Sequence, residues 1–174
     1  MIALGLFGMP NWLALTINPQ PDVKTIDNSA IEFYSEDGEL VNLENLRGNV
    51  IVLDFWGSYC SICFKKFPEI ENLFQKYQDS VVIFAVHLIY SSEKQEEIIE
   101  LIDKQPYSFP FAYTNLSQMQ IISKAFKIEG IPTLVILNKK GEIAYIGSII
   151  TEKDIIVNNA YNIIDKELKT TYTE

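Results

Sequence analysis

Two cysteines, Cys60 and Cys63, are the only thiols in the chain, and both lie in GSYCSICFKKFP at residues 57–68. Cysteines separated by two residues serve three kinds of chemistry: a short structural disulfide, part of a metal site, or thiol–disulfide exchange. A bridge is geometrically allowed at this spacing. It makes a poor staple, because closing a four-residue loop is worth about 2 kcal/mol against about 3 kcal/mol for a fifteen-residue loop. A structural zinc site normally takes four Cys or His ligands, and the chain adds only His87. As a redox couple the pair is well placed. Cys60 follows an apolar run and opens a helical pattern, so its sulfur meets the free N–H groups and positive end of a helix. Such a site lowers a thiol pKa from about 8.5 into roughly the 3.5–7.5 range. Cys63, one turn further in, supplies the second thiol that exchange requires. The redox reading is the strongest of the three.

The elements that must hold this pair can be read outward from it. VIVLDFW (50–56) is a continuous apolar run of strand length, as expected for a strand covered on both faces. VVIFAVHLI (81–89) is a second such run. Between them Phe64, Phe67, Ile70, Phe74 and Tyr77 recur at three- and four-residue steps, which predicts a helix with one buried stripe. Pro68 falls inside that pattern and is expected to kink it. IEFYSEDGELVNL reads as two short strands about a Glu-Asp-Gly turn. TLVILNKKGEIAYIG (133–147) reads as a hairpin turning at Gly141. Further helices are expected over 91–105, with Ser92 and Gln95 as a capping box, over 117–126, and from the Thr151–Asp154 capping spacing to about Lys169. Alternating strands and helices of this kind make an α/β sheet covered on both faces.

Composition narrows the class. The 174 residues are 48% apolar and 21% charged, ordinary usage for one globular domain with a real core. A net charge of −9 and a pI near 4.6 argue against nucleic acid, which wants a basic face. Residues 1–30 read as an apolar arm and linker before a domain at 31–174. IALGLFGM (2–9) and WLALTI (12–17) are separated by Pro10-Asn11, and the first basic residue is Lys24. A membrane span takes roughly 20 apolar residues and a secretory signal starts basic, so neither pattern is complete. Two readings stay open: the remnant of a signal or membrane anchor whose basic front end precedes Met1, or an arm packed on the domain or on a second copy.

VLDFWGSYCSIC followed by GIPTLVILNKKGE resembles the thioredoxin superfamily, with Cys60-Ser61-Ile62-Cys63 in the CxxC position. The upstream FYSEDGELVNLENLRGNVIVLDFW and the spacer YSFPFAYTNLSQMQIISKAFKIEG are similar to the TlpA/ResA-like group, whose members are often membrane-anchored or periplasmic. The resemblance runs from about Ile31 to Gly147. It implies a thioredoxin-like α/β fold: a central mixed sheet with helices on both faces and an N-terminal β-hairpin extension. It also assigns roles. Cys60 would be the attacking thiolate and Cys63 the buried thiol that resolves the mixed disulfide. Ile131-Pro132 matches the family's cis-proline beside the disulfide, with the Ile131 backbone pairing to an extended substrate. Asp54 matches the buried carboxylate that exchanges protons with the resolving cysteine, and burial in an apolar strand should raise its pKa. Trp56 would flank the site, and Tyr59 would shape its rim where many relatives carry tryptophan.

Two departures from the family pattern, and the single histidine, bear on function. Ser61-Ile62 replaces the usual proline-containing dipeptide, which leaves the redox direction open. Lys66 stands where many ResA-like proteins carry glutamate; a lysine on a helix is ordinarily solvated, and one near the pair would favour a thiolate. His87, the single histidine, is expected to end a strand on the side of the redox site. The resulting expectation is a thiol–disulfide oxidoreductase that reduces protein disulfides outside the cytoplasm. It would use no metal or organic cofactor beyond the Cys60–Cys63 disulfide and be re-reduced by a separate thiol donor. Two alternatives are a peroxide-reducing enzyme on the same fold, although FWGSYC lacks the proline and threonine that peroxiredoxins place before their nucleophile, and a redox-silent module that binds extended peptides beside Pro132.

Overall fold

A computed structural model describes residues 26–90, 92–148 and 153–172. Most of the expected arm, residues 1–25, and the expected cap Thr151 lie outside the described residues. The described chain holds seven strands: β1 (Glu32–Ser35), β2 (Leu40–Asn42), β3 (Val50–Trp56), β4 (Val81–His87), β5 (Phe111–Tyr113), β6 (Thr133–Leu137) and β7 (Ile143–Ser148). They form one sheet in the order β2-β1-β5-β4-β3-β6-β7. β3 runs parallel to β4 and antiparallel to β6, so the sheet is mixed. Four helices cover it: α1 (Ser61–Tyr77), α2 (Gln95–Asp103), α3 (Leu116–Ala125) and α4 (Lys153–Lys169).

The period-two geometry of a strand sorts the β3 side chains onto two faces. Val50, Val52 and Trp56 join a core with Cys63, Phe67, Ile70 and Leu73 of α1, Ile98 and Ile102 of α2, and Ala160 and Ile164 of α4. Ile51, Leu53 and Phe55 join a second core with Ile122 and Phe126 at α3, and with Phe33 and Leu43 of the N-terminal region. Asp54 falls in the first row and is buried along with the rest of the strand. The same alternation that builds the core therefore aims one carboxyl at the face that α1 covers. Pro68 lies inside α1 without ending it.

Turn chemistry is where the sequence said it would be. Gly38 (φ 80°) closes the β1–β2 hairpin and Gly141 (φ 76°) the β6–β7 hairpin, both in the left-handed region that glycine enters at little cost. Asn28, buried just ahead of β1, donates from Nδ2 to the Gly141 carbonyl at 3.1 Å, tying the start of the described chain to the far hairpin.

Two expectations are corrected. The Ser92–Gln95 capping box is not formed: α2 begins at Gln95 after Lys94, with no side-chain cap. Gln95 Nε2 donates instead to the Tyr113 hydroxyl at 3.2 Å, so a tertiary partner won over a local one. β5 was not expected at all. Its three residues, between Pro110 and Thr114, are too few to show a period, yet β5 pairs parallel to β4 and antiparallel to β1 and so joins the hairpin to the main sheet. A complete capping box does occur at α3. There Asn115 accepts from the Gln118 backbone, and Gln118 accepts from the Asn115 backbone, each at 2.9 Å.

Candidate active site

β3 ends at Trp56, and four residues later Cys60 caps α1. The turn is closed by the Cys60 N–H donating to the Gly57 carbonyl at 3.0 Å. Cys60 Sγ accepts the Cys63 N–H at 3.1 Å, so the sulfur occupies the position where a capping oxygen normally sits. Cys60 and Cys63 are disulfide-bonded, with Cα atoms 5.3 Å apart. The two sulfurs are not equivalent. Cys63 is 0% exposed in the α1 core, whereas Cys60 is half-buried and lines an open cleft. A free thiolate at Cys60 would keep the backbone donor and the helix dipole as its stabilisers.

Asp54 lies in the β3 row whose neighbours Val52 and Trp56 join the core that holds Cys63. It is 0% exposed, and neither carboxyl oxygen has a hydrogen-bond partner among the described residues. Burial pushes its pKa up to about 7; Lys66 pulls it down and Glu69 pushes it up, both more weakly than burial. Lys66 is itself buried, not solvated as a helix lysine ordinarily is, and it lies on the α1 face that carries Cys63, Phe67 and Ile70. Burial lowers the Lys66 pKa, against the opposing pull of Asp54 and Glu69. A carboxyl that ionises near neutrality, on the core face that receives Cys63, has the property needed to take and return a proton.

The cleft over Cys60 has a volume of about 390 Å³ and is lined by Tyr59, Cys60, Tyr90 and Ile131. A second concavity of about 200 Å³ shares the Tyr90 and Ile131 walls and extends past Glu129 and Gly130. The Ile131-Pro132 bond is cis, and Thr133 Oγ1 donates to the Gly130 carbonyl at 2.5 Å just beside it. Gly57 sits tightly under this wall. A Cβ there would come within 2.8 Å of Ile131 Cδ1 and 3.2 Å of Tyr90 Cε2. Tyr59 is 81% exposed and Ile62 53% exposed, so the rim is apolar and open.

One expected site residue moves. Trp56 is 0% exposed and meets Phe64, Phe67, Phe111 and His87 edge-on. It offers a substrate no surface, because its strand position points it into the core that also holds Cys63. Tyr59, Ile131 and Cys60 do meet in the cleft, and Pro132 is buried directly behind Ile131.

A family model described as Thioredoxin-like matches residues 48–143, a span that contains β3, the cysteine pair, Asp54 and the cis-proline. The chain belongs to the thioredoxin-like family. The thiol–disulfide oxidoreductase ResA of Halalkalibacterium halodurans is 32% identical over 117 residues, which cover 66% of this chain and 63% of that protein. The sporulation thiol–disulfide oxidoreductase A of Bacillus subtilis is 31% identical over 108 residues, covering 62% and 63%. The matches to these curated relatives thus span less than two thirds of their length. Among solved structures, StoA from Bacillus subtilis aligns with a TM-score of 0.60 at 25% identity, covering 76% of this chain and 94% of that one. The pneumococcal exposed lipoprotein thioredoxin Etrx1 from Streptococcus pneumoniae aligns with a TM-score of 0.64 at 20% identity, covering 76% and 98%. The thioredoxin-superfamily and ResA-like resemblance, and the mixed sheet with helices on both faces, are borne out.

Three residues beside the cleft escaped the sequence reading: Tyr90, which lines it, and Ser58 and Glu93, which line a neighbouring concavity with Tyr59. None carries a local signal. They meet the site because β3 and β4 are parallel neighbours, with Trp56 opposite His87, so the loops leaving both strands converge at the same edge. Among the described residues no group of three His, Cys, Asp or Glu is arranged to hold a metal ion, and no helix is long and apolar enough to cross a membrane.

Proposed function

We propose that this thioredoxin-like chain is a thiol–disulfide oxidoreductase that reduces disulfides in protein substrates. The observation that carries the reading is the asymmetry of the pair: Cys60 Sγ caps α1 in an open cleft, while Cys63 is buried one turn in, within the core that α1 shares with β3. The Cys60 thiolate attacks one sulfur of the substrate disulfide. A bond forms between Cys60 and that sulfur, and the other substrate sulfur leaves as a thiolate. Cys63, giving its proton to Asp54, then attacks Cys60, releasing the second substrate thiolate and closing the Cys60–Cys63 disulfide. Two electrons have moved from the pair to the substrate, so a separate thiol donor must return them. No metal or organic cofactor enters this cycle. Ile131 and Tyr59 line the path of the substrate segment beside the cis-proline.

Its setting, in this reading, is outside the cytoplasm, where substrate disulfides persist, with residues 1–30 forming an arm ahead of the domain at 31–174. The apolar stretches 2–9 and 12–17 support attachment to a membrane. The direction is tested by equilibrating the pair in graded thiol–disulfide buffers. A potential near the thioredoxin value of about −270 mV supports a reductase, and one near about −120 mV overturns that direction in favour of disulfide donation. Loss of all turnover in Cys60→Ser is the accompanying check on the nucleophile.

A further inference from the structure

His87 is the only histidine in the chain, and the cycle above gives it no part. It is 0% exposed and stands at the end of β4, opposite Trp56, whose ring it meets edge-on with centroids 4.8 Å apart. Its Nε2 accepts the backbone N–H of Ser58 at 3.1 Å, and Ser58 Oγ lies 2.8 Å from the same nitrogen. That network assigns the ring proton to Nδ1, which is buried with no hydrogen-bond partner among the described residues. Burial also pushes the His87 pKa down, against the opposing pull of Glu93. The ring is a neutral acceptor held in place.

Glu93 completes the arrangement. Its side chain is 4% exposed, and Oε1 lies 3.5 Å from His87 Nε2. Its other oxygen, Oε2, accepts the Tyr90 N–H at 2.6 Å. Glu93 Oε1 makes no hydrogen bond among the described residues, so each side chain grips one segment: His87 holds Ser58, immediately before Tyr59, and Glu93 holds Tyr90. Tyr59 and Tyr90 are the two aromatic walls of the cleft over Cys60. Cys60 is held by separate bonds, to Gly57 and from Cys63, so the reacting sulfur does not depend on the pair for its position.

We propose that the buried His87–Glu93 pair is a positioning device that holds the Tyr59 and Tyr90 walls at the spacing a polypeptide substrate needs, without acting on the reacting sulfurs. The inference rests on the oxidoreductase reading and adds to it a division of labour. A cleft fixed in advance spares the substrate the cost of ordering its walls. Removing the Nε2 acceptor leaves the part-buried Ser58 N–H without its partner, which favours a displacement of Ser58 and of the Tyr59 wall beside it while the Cys60 N–H keeps its bond to Gly57.

The test compares wild type, His87→Phe and His87→Gln in reduction of a small soluble disulfide, hydroxyethyl disulfide, and of a disulfide-bonded polypeptide, insulin. Glutamine can place an amide oxygen where Nε2 lies, whereas phenylalanine fills the volume without an acceptor. The expected result for His87→Phe is a KM for insulin raised about tenfold, with kcat and the hydroxyethyl disulfide rate within about twofold of wild type. His87→Gln restores most of the KM. Glu93→Leu, which removes the acceptor that fixes the Tyr90 N–H, provides the second route if His87→Phe does not fold, and the same rise in KM is expected. An unchanged insulin KM in folded His87→Phe or Glu93→Leu overturns the inference, as does an equal fall in both reactions. Wild type inert toward both disulfides overturns the oxidoreductase reading itself.

Discussion

Asp54 and His87 sit on neighbouring parallel strands, one on either side of the β3–β4 pairing that ends at Trp56, and both are 0% exposed. Burial disfavours the charged form of each, but the two groups carry their charge in opposite protonation states. Asp54 is therefore pushed up to about 7, with Lys66 and Glu69 as the charges facing it. His87 is pushed down to about 4, with Glu93 facing it. The outcomes differ in use. A carboxyl poised near neutrality can carry a proton for Cys63, while a ring held neutral serves as a fixed acceptor for Ser58. The same desolvation has made one mobile proton site and one static strut.

The comparison has a sign that can be measured. Between its unfolded pKa of 3.8 and its folded value of about 7, Asp54 binds more proton in the native state. The stability it contributes is present at low pH and lost as pH rises through 7, a swing of about 4 kcal/mol. His87 behaves in the opposite way. Its folded pKa lies below the ordinary 6.5, so its contribution is present above 6.5 and lost as pH falls toward 4. Across the weakly acidic range the two slopes oppose each other.

The largest expected effect comes from breaking the mobile half. Asp54→Asn should slow resolution of the mixed disulfide about 100-fold, the scale of a lost general base. It should also raise denaturant stability above pH 7 by up to about 4 kcal/mol and leave it little changed near pH 4. Lys66→Met removes the cation that pulls Asp54 down, so the midpoint of the pH–rate profile for resolution should move to higher pH, read by stopped-flow at a series of pH values. On the static side, His87→Gln should lose the acid-side slope, so that the opposing Asp54 slope stands alone and the denaturation midpoints at pH 7 and pH 5 move apart relative to wild type, the pH 5 midpoint being the higher. The smallest effect belongs to Tyr59→Ala. At 81% exposed, its loss should change stability by no more than about 0.5 kcal/mol and appear only as a higher KM for polypeptide substrates.

What could be read from the sequence was local. β3 and α1 announce themselves by an apolar run and a helical stripe, and the cysteine pair lies at their junction. Asp54 is legible because a single carboxylate interrupts that run. Trp56 was misplaced because a motif position does not say which way a strand-end side chain points; the β3 alternation turned it inward. β5 and the α2 cap were lost to tertiary partners, β1 and β4 for the one and Tyr113 for the other. Ser58, Tyr90 and Glu93 come together only through the β3–β4 register, which no single stretch of residues encodes.

The division of labour between the two cysteines is tested most directly by mass spectrometry of reduced Cys63→Ser after mixing with a disulfide-bonded polypeptide. The expected species is one substrate chain bound to Cys60 and stable until a dithiol is added. A Cys63→Ser protein whose free Cys60 thiol forms no adduct would contradict the account, because Cys60 would then not be the group that attacks.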